Sequence, residues 1–301
     1  MKFFPFLALS LLAAGCLDDA ELEVETSAQE LIALNGVNLN GVNLNGVNLN
    51  GVNLNGVNLN GVNLNGVNLN GVNLNGVTLS GSQLTVNNAS IVVGTTFQGA
   101  LANGTLLPLR VDGITRGVGS NSDVVMYRIT YTTSTGQREL CGTNASPTLA
   151  LAVPGTWNYA QGVAGGGAYT ASTTKFTFGC RLTAIAKCVE MGYKPWRGYT
   201  THLASCTRAL RGEFCGDGQP YTVDGTTINI YDAVNVQADT EAWDVEGEWS
   251  PAGAACISSK KVTRFYQATA VRPTCLETLK LKTCPGLGSV AKIRTELPPV
   301  N

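Results

Sequence analysis

The five-residue block Gly-Val-Asn-Leu-Asn occurs eight times without change over residues 36–75, and leucine stands at every fifth position from Leu34 to Leu84. A period of five fits neither 3.6 nor 3.5, so no helix or coiled coil built on it keeps one apolar face. It is also far shorter than the about 20–29 residues of a leucine-rich repeat. Within one unit Val37 and Leu39 lie two apart, and in an extended segment both point the same way while Asn38 points out. Asn40 and Gly41 then supply a corner, because both tolerate positive φ. Repetition of three extended residues and a turn coils the chain around a column of valine and leucine. The competing reading is an Asn/Gly-rich linker that can convert to β structure. The strict phase of valine and leucine argues for the coil.

These units resemble the pentapeptide-repeat family, with valine standing where that family usually has alanine. The resemblance spans about residues 31–90 and implies a right-handed, four-sided β-helix with four units per coil. Eleven leucine-bearing units make fewer than three coils, and a solenoid that short needs a cap or a partner at its ends. Self-association through the repeat is therefore expected. Some family members imitate DNA, which requires carboxylates along the coil. From residue 31 to residue 109 there is no Asp, Glu, Lys, Arg or His. With a net charge of −1 over the whole chain, nucleic acid is not an expected partner.

The first residues read as an export signal. Lys2 precedes an apolar run over residues 3–12, followed by Ala13-Ala14-Gly15-Cys16, and the run is too short to span a bilayer. Small residues directly before a cysteine resemble the lipobox of bacterial lipoproteins, although Ala13 stands where leucine is usual. The resemblance implies a signal peptide at residues 1–15, lipid on Cys16 and a membrane partner through that anchor. The implied location is the bacterial cell envelope, at the outer membrane or surface. Ordinary cleavage with release is the alternative. Residues 16–30 carry Asp18, Asp19, Glu21, Glu23, Glu25 and Glu30 without a Lys or Arg, which makes them an extended, solvated spacer.

Residues 91–109 read as an uncharged cap or connector, and residues 110–301 as a mixed α and β domain. Strands are expected at residues 123–132, 149–153, 175–178, 226–231 and 261–267, with a glycine-rich loop at 162–167. Helices are expected at 182–191, 201–210 and 276–282. The segment Ala186 to Trp196, the run Cys206-Thr207-Arg208 through Cys215-Gly216-Asp217-Gly218, and Asp224-Gly225-Thr226 resemble the ADYC domain of bacterial exported proteins. The four letters of that name fall on Gly212-Glu213-Phe214-Cys215, where only the cysteine is retained. The resemblance covers about residues 110–291 and implies a fold and a location but no reaction. The expected fold class is mainly β: a short quadrilateral β-helix, then a disulfide-rich α+β domain.

Setting Cys16 aside leaves Cys141, Cys180, Cys188, Cys206, Cys215, Cys256, Cys275 and Cys284. An even number in an exported chain reads as four disulfides. Eight cysteines allow 105 pairings; Cys275–Cys284, flanking the third helix, is the one pair singled out here. Zinc is the alternative, but no C-x-x-C pair is present. With one histidine in the chain, multi-histidine metal chemistry is excluded, and no cofactor is expected.

Three candidate sites follow. His202 and Cys206 are four apart, as a thiol–imidazole pair on a helix would be, unless Cys206 is oxidised. Asp217, Asp224 and Asp232 offer oxygen ligands to calcium, or simply make turns. Glu241, Asp244, Glu246 and Glu248 with Trp243 and Trp249 suggest either an acidic sugar site or a solvated hairpin face over buried tryptophans. No nucleophile-elbow, zincin, P-loop or dinucleotide fingerprint is found. Two functional readings result: a non-enzymatic surface lipoprotein whose C-terminal domain binds a protein or glycan, and an exported carbohydrate-directed hydrolase with acidic catalysts.

Overall fold

Extended segments from residue 96 onward, joined by short strands at residues 32–34 and 70–73, build two antiparallel sheets with a pair of helices between them. The computed structural model describes residues 32–34, 70–73, 77–86, 89–100, 106–133, 136–157, 167–173, 175–222, 226–258, 264 and 272–299. Outside these lie the signal-like segment, Cys16, the acidic spacer, the repeat copies up to residue 69, most of the glycine-rich loop, Asp224 and most of the strand expected at 261–267.

Among the described residues the strands longer than two residues are, in chain order, β1 (Ile32–Leu34), β2 (Asn70–Asn73), β3 (Val77–Ser80), β4 (Gln83–Val86), β5 (Thr96–Ala100), β6 (Leu106–Arg116), β7 (Val125–Thr133), β8 (Gly136–Glu139), β9 (Ala150–Pro154), β10 (Lys175–Cys180), β11 (Thr227–Asp232), β12 (Asp244–Ser250), β13 (Gly253–Ile257) and β14 (Ile293–Leu297). The helices are α1 (Ala184–Glu190), α2 (Thr200–Arg211) and α3 (Leu276–Lys280). The first sheet runs β2-β10-β9-β7-β6-β5, with β8 folded back on β7. The second runs β1-β11-β14-β12-β13.

Helix α1 packs on β10, α2 packs on β12, β13 and β14, and the helices pack on each other. The core joins Met126, Leu151 and Val153 from the first sheet, Ile185, Val189, Leu203 and Leu210 from the helices, and Ile230, Trp249 and Ile293 from the second sheet. Such contiguous burial, at about 25 cal/mol per Å2 of apolar surface, is the main stabilising term. Gly212 ends α2 in the left-handed region at φ 62°, its N–H bonded to the carbonyls of Arg208 and Ala209, the stop that glycine favours.

Two boundaries differ from expectation. The last repeat-like units do not continue a coil: β3 and β4 form an antiparallel hairpin in which Leu79 lies opposite Leu84. There the motif has drifted, Thr78 and Thr85 join hydroxyls at 2.5 Å, and Gly81 makes the turn at φ 63°. The hairpin is seated by buried Tyr127, whose hydroxyl donates to the Ser82 carbonyl (3.2 Å) and accepts from the Leu84 amide (2.9 Å). Residues 91–109 are not a connector either, since β5 and the start of β6 complete one side of the first sheet.

Four disulfides close the domain: Cys141–Cys180, Cys188–Cys206, Cys215–Cys275 and Cys256–Cys284. The expected Cys275–Cys284 pair is corrected. Cys275 sits at the start of α3 against the chain after α2, with a Cα separation of 5.5 Å to Cys215. Cys284, beyond the helix, reaches β13 instead. Proximity in sequence is overruled by the side on which each end of α3 emerges.

Candidate functional site

Helix α2 carries Arg208 and Arg211 one turn apart and delivers Glu213 immediately after its glycine stop. All three side chains are buried, and the single carboxylate receives both guanidinium groups. It also accepts the Gly167 amide at 3.3 Å. Arg211 donates onward to the Gly218 carbonyl (2.7 Å) and Arg208 to the Pro251 carbonyl (3.1 Å). A carboxylate buried this deeply requires such partners. Phe214 tilts against Trp249 at 4.8 Å, and Cys215 forms its disulfide. A Cβ at Gly216 would come within 1.9 Å of the Ala252 carbonyl oxygen, so only glycine fits there. The Gly212-Glu213-Phe214-Cys215 segment is thus a structural knot that ties α2 to the β12–β13 turn.

The acidic–tryptophan group is dispersed rather than assembled. A bulge between Val245 and Gly247 shifts the register of β12 against β14. Glu246 is sealed against Arg264 by bonds of 2.9 and 2.6 Å, and Thr295 donates to it at 2.8 Å. Trp249 donates to Thr295 (2.8 Å) and lies under the Arg264 guanidinium at 5.6 Å. Glu248 accepts from Arg294 and from the Gly286 amide (2.8 Å). Glu241, Trp243 and Asp244 stay partly exposed before the bulge. Glu248 also approaches Cys256 and Cys284, but those sulfurs are bonded to each other and offer no thiolate.

One face of the second sheet gathers a mutually bonded group of an arginine, a tyrosine, an asparagine and carboxylates. Arg294, partly exposed, lies 5.7 Å over the Tyr231 ring. The Tyr231 hydroxyl donates to Glu296 at 2.8 Å, and Asn229 donates to Glu296 (3.1 Å) and to exposed Asp239 (2.9 Å). Burial, together with Glu296, pushes the Tyr231 hydroxyl up to about 12 against the opposing effect of Arg294. This hydroxyl is therefore a fixed donor at neutral pH. Across β11, β14 and β12, Tyr231, Arg294 and Glu248 lie in one register, with the ring and the carboxylate buried and the guanidinium partly exposed.

The segment around Lys194 holds the first sheet to the rest. Buried Lys194 bonds Asp123 at 2.5 Å and the Ser120 carbonyl at 2.7 Å. Trp196 and Arg197 donate to the same carboxylate at 3.0 and 2.9 Å. Burial would raise the Asp123 pKa, but these bonds and the Lys194 charge hold it at about 2. Trp196 also lies against Gly81 of the hairpin turn.

The remaining candidates are separated. Cys206 is bonded to Cys188, so the thiol–imidazole reading fails. His202 sits between Tyr193 and Tyr199 instead, its Nδ1 buried without a hydrogen-bond partner. Burial lowers its pKa despite the nearby Asp232 charge. Asp232 accepts the Tyr193 hydroxyl (2.7 Å) and the amides of Val234 (2.7 Å) and Gln237 (2.8 Å), while Asp217 caps its own turn at the Gln219 amide (3.0 Å). Each carboxylate thus closes its own loop, and no calcium site is formed from the two.

The arginines that organise these groups, Arg208, Arg211, Arg264 and Arg294, escaped the sequence reading. Only the first two left a trace, as a pair three apart ahead of an acidic residue. A family model for the ADYC domain matches residues 79–263, and one for pentapeptide repeats, in eight copies, matches residues 33–71 and 53–85. No curated protein and no solved structure matches the chain.

Proposed function

The chain belongs to the ADYC-domain family, and from that premise we propose a non-enzymatic, exported envelope protein in which a disulfide-closed head binds a protein or glycan ligand. The repeat copies ahead of residue 70 form the short β-helix that serves as stalk or assembly element. Lipid on Cys16 anchors the whole to a bacterial membrane, with residues 16–30 as spacer. The observation that carries this reading is the fate of the acidic residues. Glu213, Glu246 and Glu248 are each locked to arginine, while Arg294, the partner of Glu248, keeps part of its guanidinium exposed beside the buried Tyr231 ring. Buried ion pairs of this kind hold a frame rigid, and an aromatic ring beside a cation suits recognition. The small residues directly before Cys16 are what support a lipid as the means of attachment; no described helix is long and apolar enough to cross a membrane.

Two measurements test it. Membrane fractionation of the exported chain should show Cys16→Ser moving to the soluble fraction; unchanged partitioning refutes the anchor. Purified oxidised protein screened on glycan and peptide arrays should yield a ligand whose binding weakens about tenfold in Arg294→Lys, which keeps the charge facing Glu248 but loses the exposed guanidinium, the effect of losing about 1.4 kcal/mol. Turnover of any substrate in a hydrolase panel would instead favour the carbohydrate-directed enzyme.

A further inference from the structure

β2 is the last Asn-Gly-Val-Asn of the uninterrupted repeat, and it is an edge strand of the head's first sheet. Asn73 lies opposite Lys175 and Val72 opposite Phe176, with a bulge before Asn70 opposite Thr177. The extra residue in that bulge is Gly71, the residue type that tolerates one best. β2 also lies beside β5, the strand at the far end of the same sheet. One repeat unit therefore covers the β10 edge and approaches the other edge as well.

Nothing in the sequence addresses that position to residues 70–73. Asn-Gly-Val-Asn recurs at residues 35–38 and every five residues thereafter, eight times in all. Backbone pairing reads no side-chain identity, and the positions opposite buried Phe176 and Thr177 carry valine and asparagine in every copy. Sliding the preceding copy into place lengthens the link to β3 from three residues to eight. By loop-closure scaling that lowers occupancy only about fourfold.

We propose that the β10 edge is an acceptor for any Asn-Gly-Val-Asn unit, and that its second occupant is a repeat unit of another copy of this chain. Heads and repeats of neighbouring molecules then join by strand addition, the mode in which main-chain bonds supply affinity and alternate side chains supply selection. The internal copy has an effective concentration of order millimolar. Exchange between molecules therefore belongs to crowded conditions, such as a membrane surface. This goes beyond the stalk-and-head reading: it does not depend on whether the other copies coil, on lipid at Cys16, or on any ligand.

The test uses the full oxidised chain with a benzophenone residue replacing exposed Lys175, which faces Asn73 across the pair. Unlabelled and 15N-labelled chains are mixed, irradiated over a range from micromolar to millimolar, and digested. Cross-links from position 175 of one isotope to the repeat of the other should appear and rise with concentration. A free peptide of three Gly-Val-Asn-Leu-Asn units should suppress them. Cross-links confined to chains of the same isotope at every concentration would overturn the proposal. A second variant separates a degenerate acceptor from a specific one. Val72→Asp should retain cross-linking to the repeat within about fivefold, because the adjacent copy replaces it. If Val72→Asp abolishes it in a chain whose head remains folded by near-UV circular dichroism, the acceptor is specific to residues 70–73 and the inference is wrong.

Discussion

The repeat and the ADYC domain solve opposite problems. Residues 36–75 are identical units without a charge; each unit knows its local conformation, but none knows its place. In the domain several buried charges are tied to partners distant in sequence: Glu246 to Arg264, Glu248 to Arg294, Lys194 to Asp123. A uniform sequence specifies a period and leaves register open, because a shift by one period restores every contact. A heterogeneous one fixes register, since any shift strands a charge in the interior. The repeat is therefore interchangeable and the head is not.

The largest effect expected follows from that dependence. Glu213→Gln removes the charge that neutralises buried Arg208 and Arg211 and should cost about 3–5 kcal/mol. Urea unfolding of the oxidised protein would read this as a lowered midpoint at unchanged slope. The exposed Glu277–Lys280 pair is the control, and Glu277→Gln should stay within about 0.5 kcal/mol. Equal effects would mean that the motif carboxylate is not the keystone described. Next in size comes the covalent frame. Replacing Cys188 and Cys206 together by serine opens an 18-residue separation between α1 and α2 and should cost about 3 kcal/mol, checked by thermal unfolding. A loss below about 1 kcal/mol would show that packing alone holds the helix pair.

How far the sequence reveals this depends on where the partners lie. β7, β9, β10 and β11 were legible because β-branched and aromatic residues cluster in each, and α1 and α2 because apolar spacing and a following glycine marked them. β12 was legible as one arm of a hairpin over a buried tryptophan, the alternative to an acidic site, but not its covering: Glu246 and Glu248 are sealed only when Arg264 and Arg294 arrive from elsewhere in the chain. β14, Ile-Arg-Thr-Glu-Leu, alternates cleanly, but its two charges concealed that the polar face is itself largely covered. That eight cysteines would pair could be inferred by parity, whereas which ones pair could not. The bond partners depend on how α3 lies across the second sheet. Among the candidate sites, the Tyr231–Arg294 face was missed because its members stand 63 residues apart.

A smaller effect, and one with a definite sign, resides at His202. Burial lowers its folded pKa below the ordinary 6.5, so as pH falls the unfolded chain takes up the proton first. Stability therefore rises with pH through this window: it is fully present above about 6.5 and is lost as pH drops toward the folded value. The charges facing the ring, Asp232 and Lys292, oppose each other. Asp123, held at about 2, acts lower, with stability present above the ordinary carboxylate value and lost as pH falls toward 2. Denaturant midpoints at pH 7.5 and pH 5 should differ less in His202→Gln than in the parent. An unchanged slope would assign the dependence to other groups.

The smallest effect should come from the change that removes the most atoms. Deleting one whole unit, Gly51-Val52-Asn53-Leu54-Asn55, leaves seven identical copies in phase, an unaltered sequence from residue 56 onward, and the same tetrapeptide at residues 70–73 to meet β10. The deletion shortens the span between β1 and β2 but removes no residue that pairs with the head, so the unfolding midpoint of the disulfide-closed domain should move by less than the equivalent of about 0.5 kcal/mol, the range of a neutral surface change. Deleting two residues inside the unit instead, Asn53 and Leu54, breaks the phase of the valine–leucine column while leaving the head untouched. Limited proteolysis within residues 31–75 separates the cases. If the repeat is an ordered column, the phase-breaking deletion speeds cleavage and the whole-unit deletion does not. Cleavage at the parent's rate in both would mean that the period has no structural consequence and the segment is merely a spacer. A large shift of the head's midpoint after whole-unit deletion would break the comparison from the other side, by showing that individual copies do have fixed places.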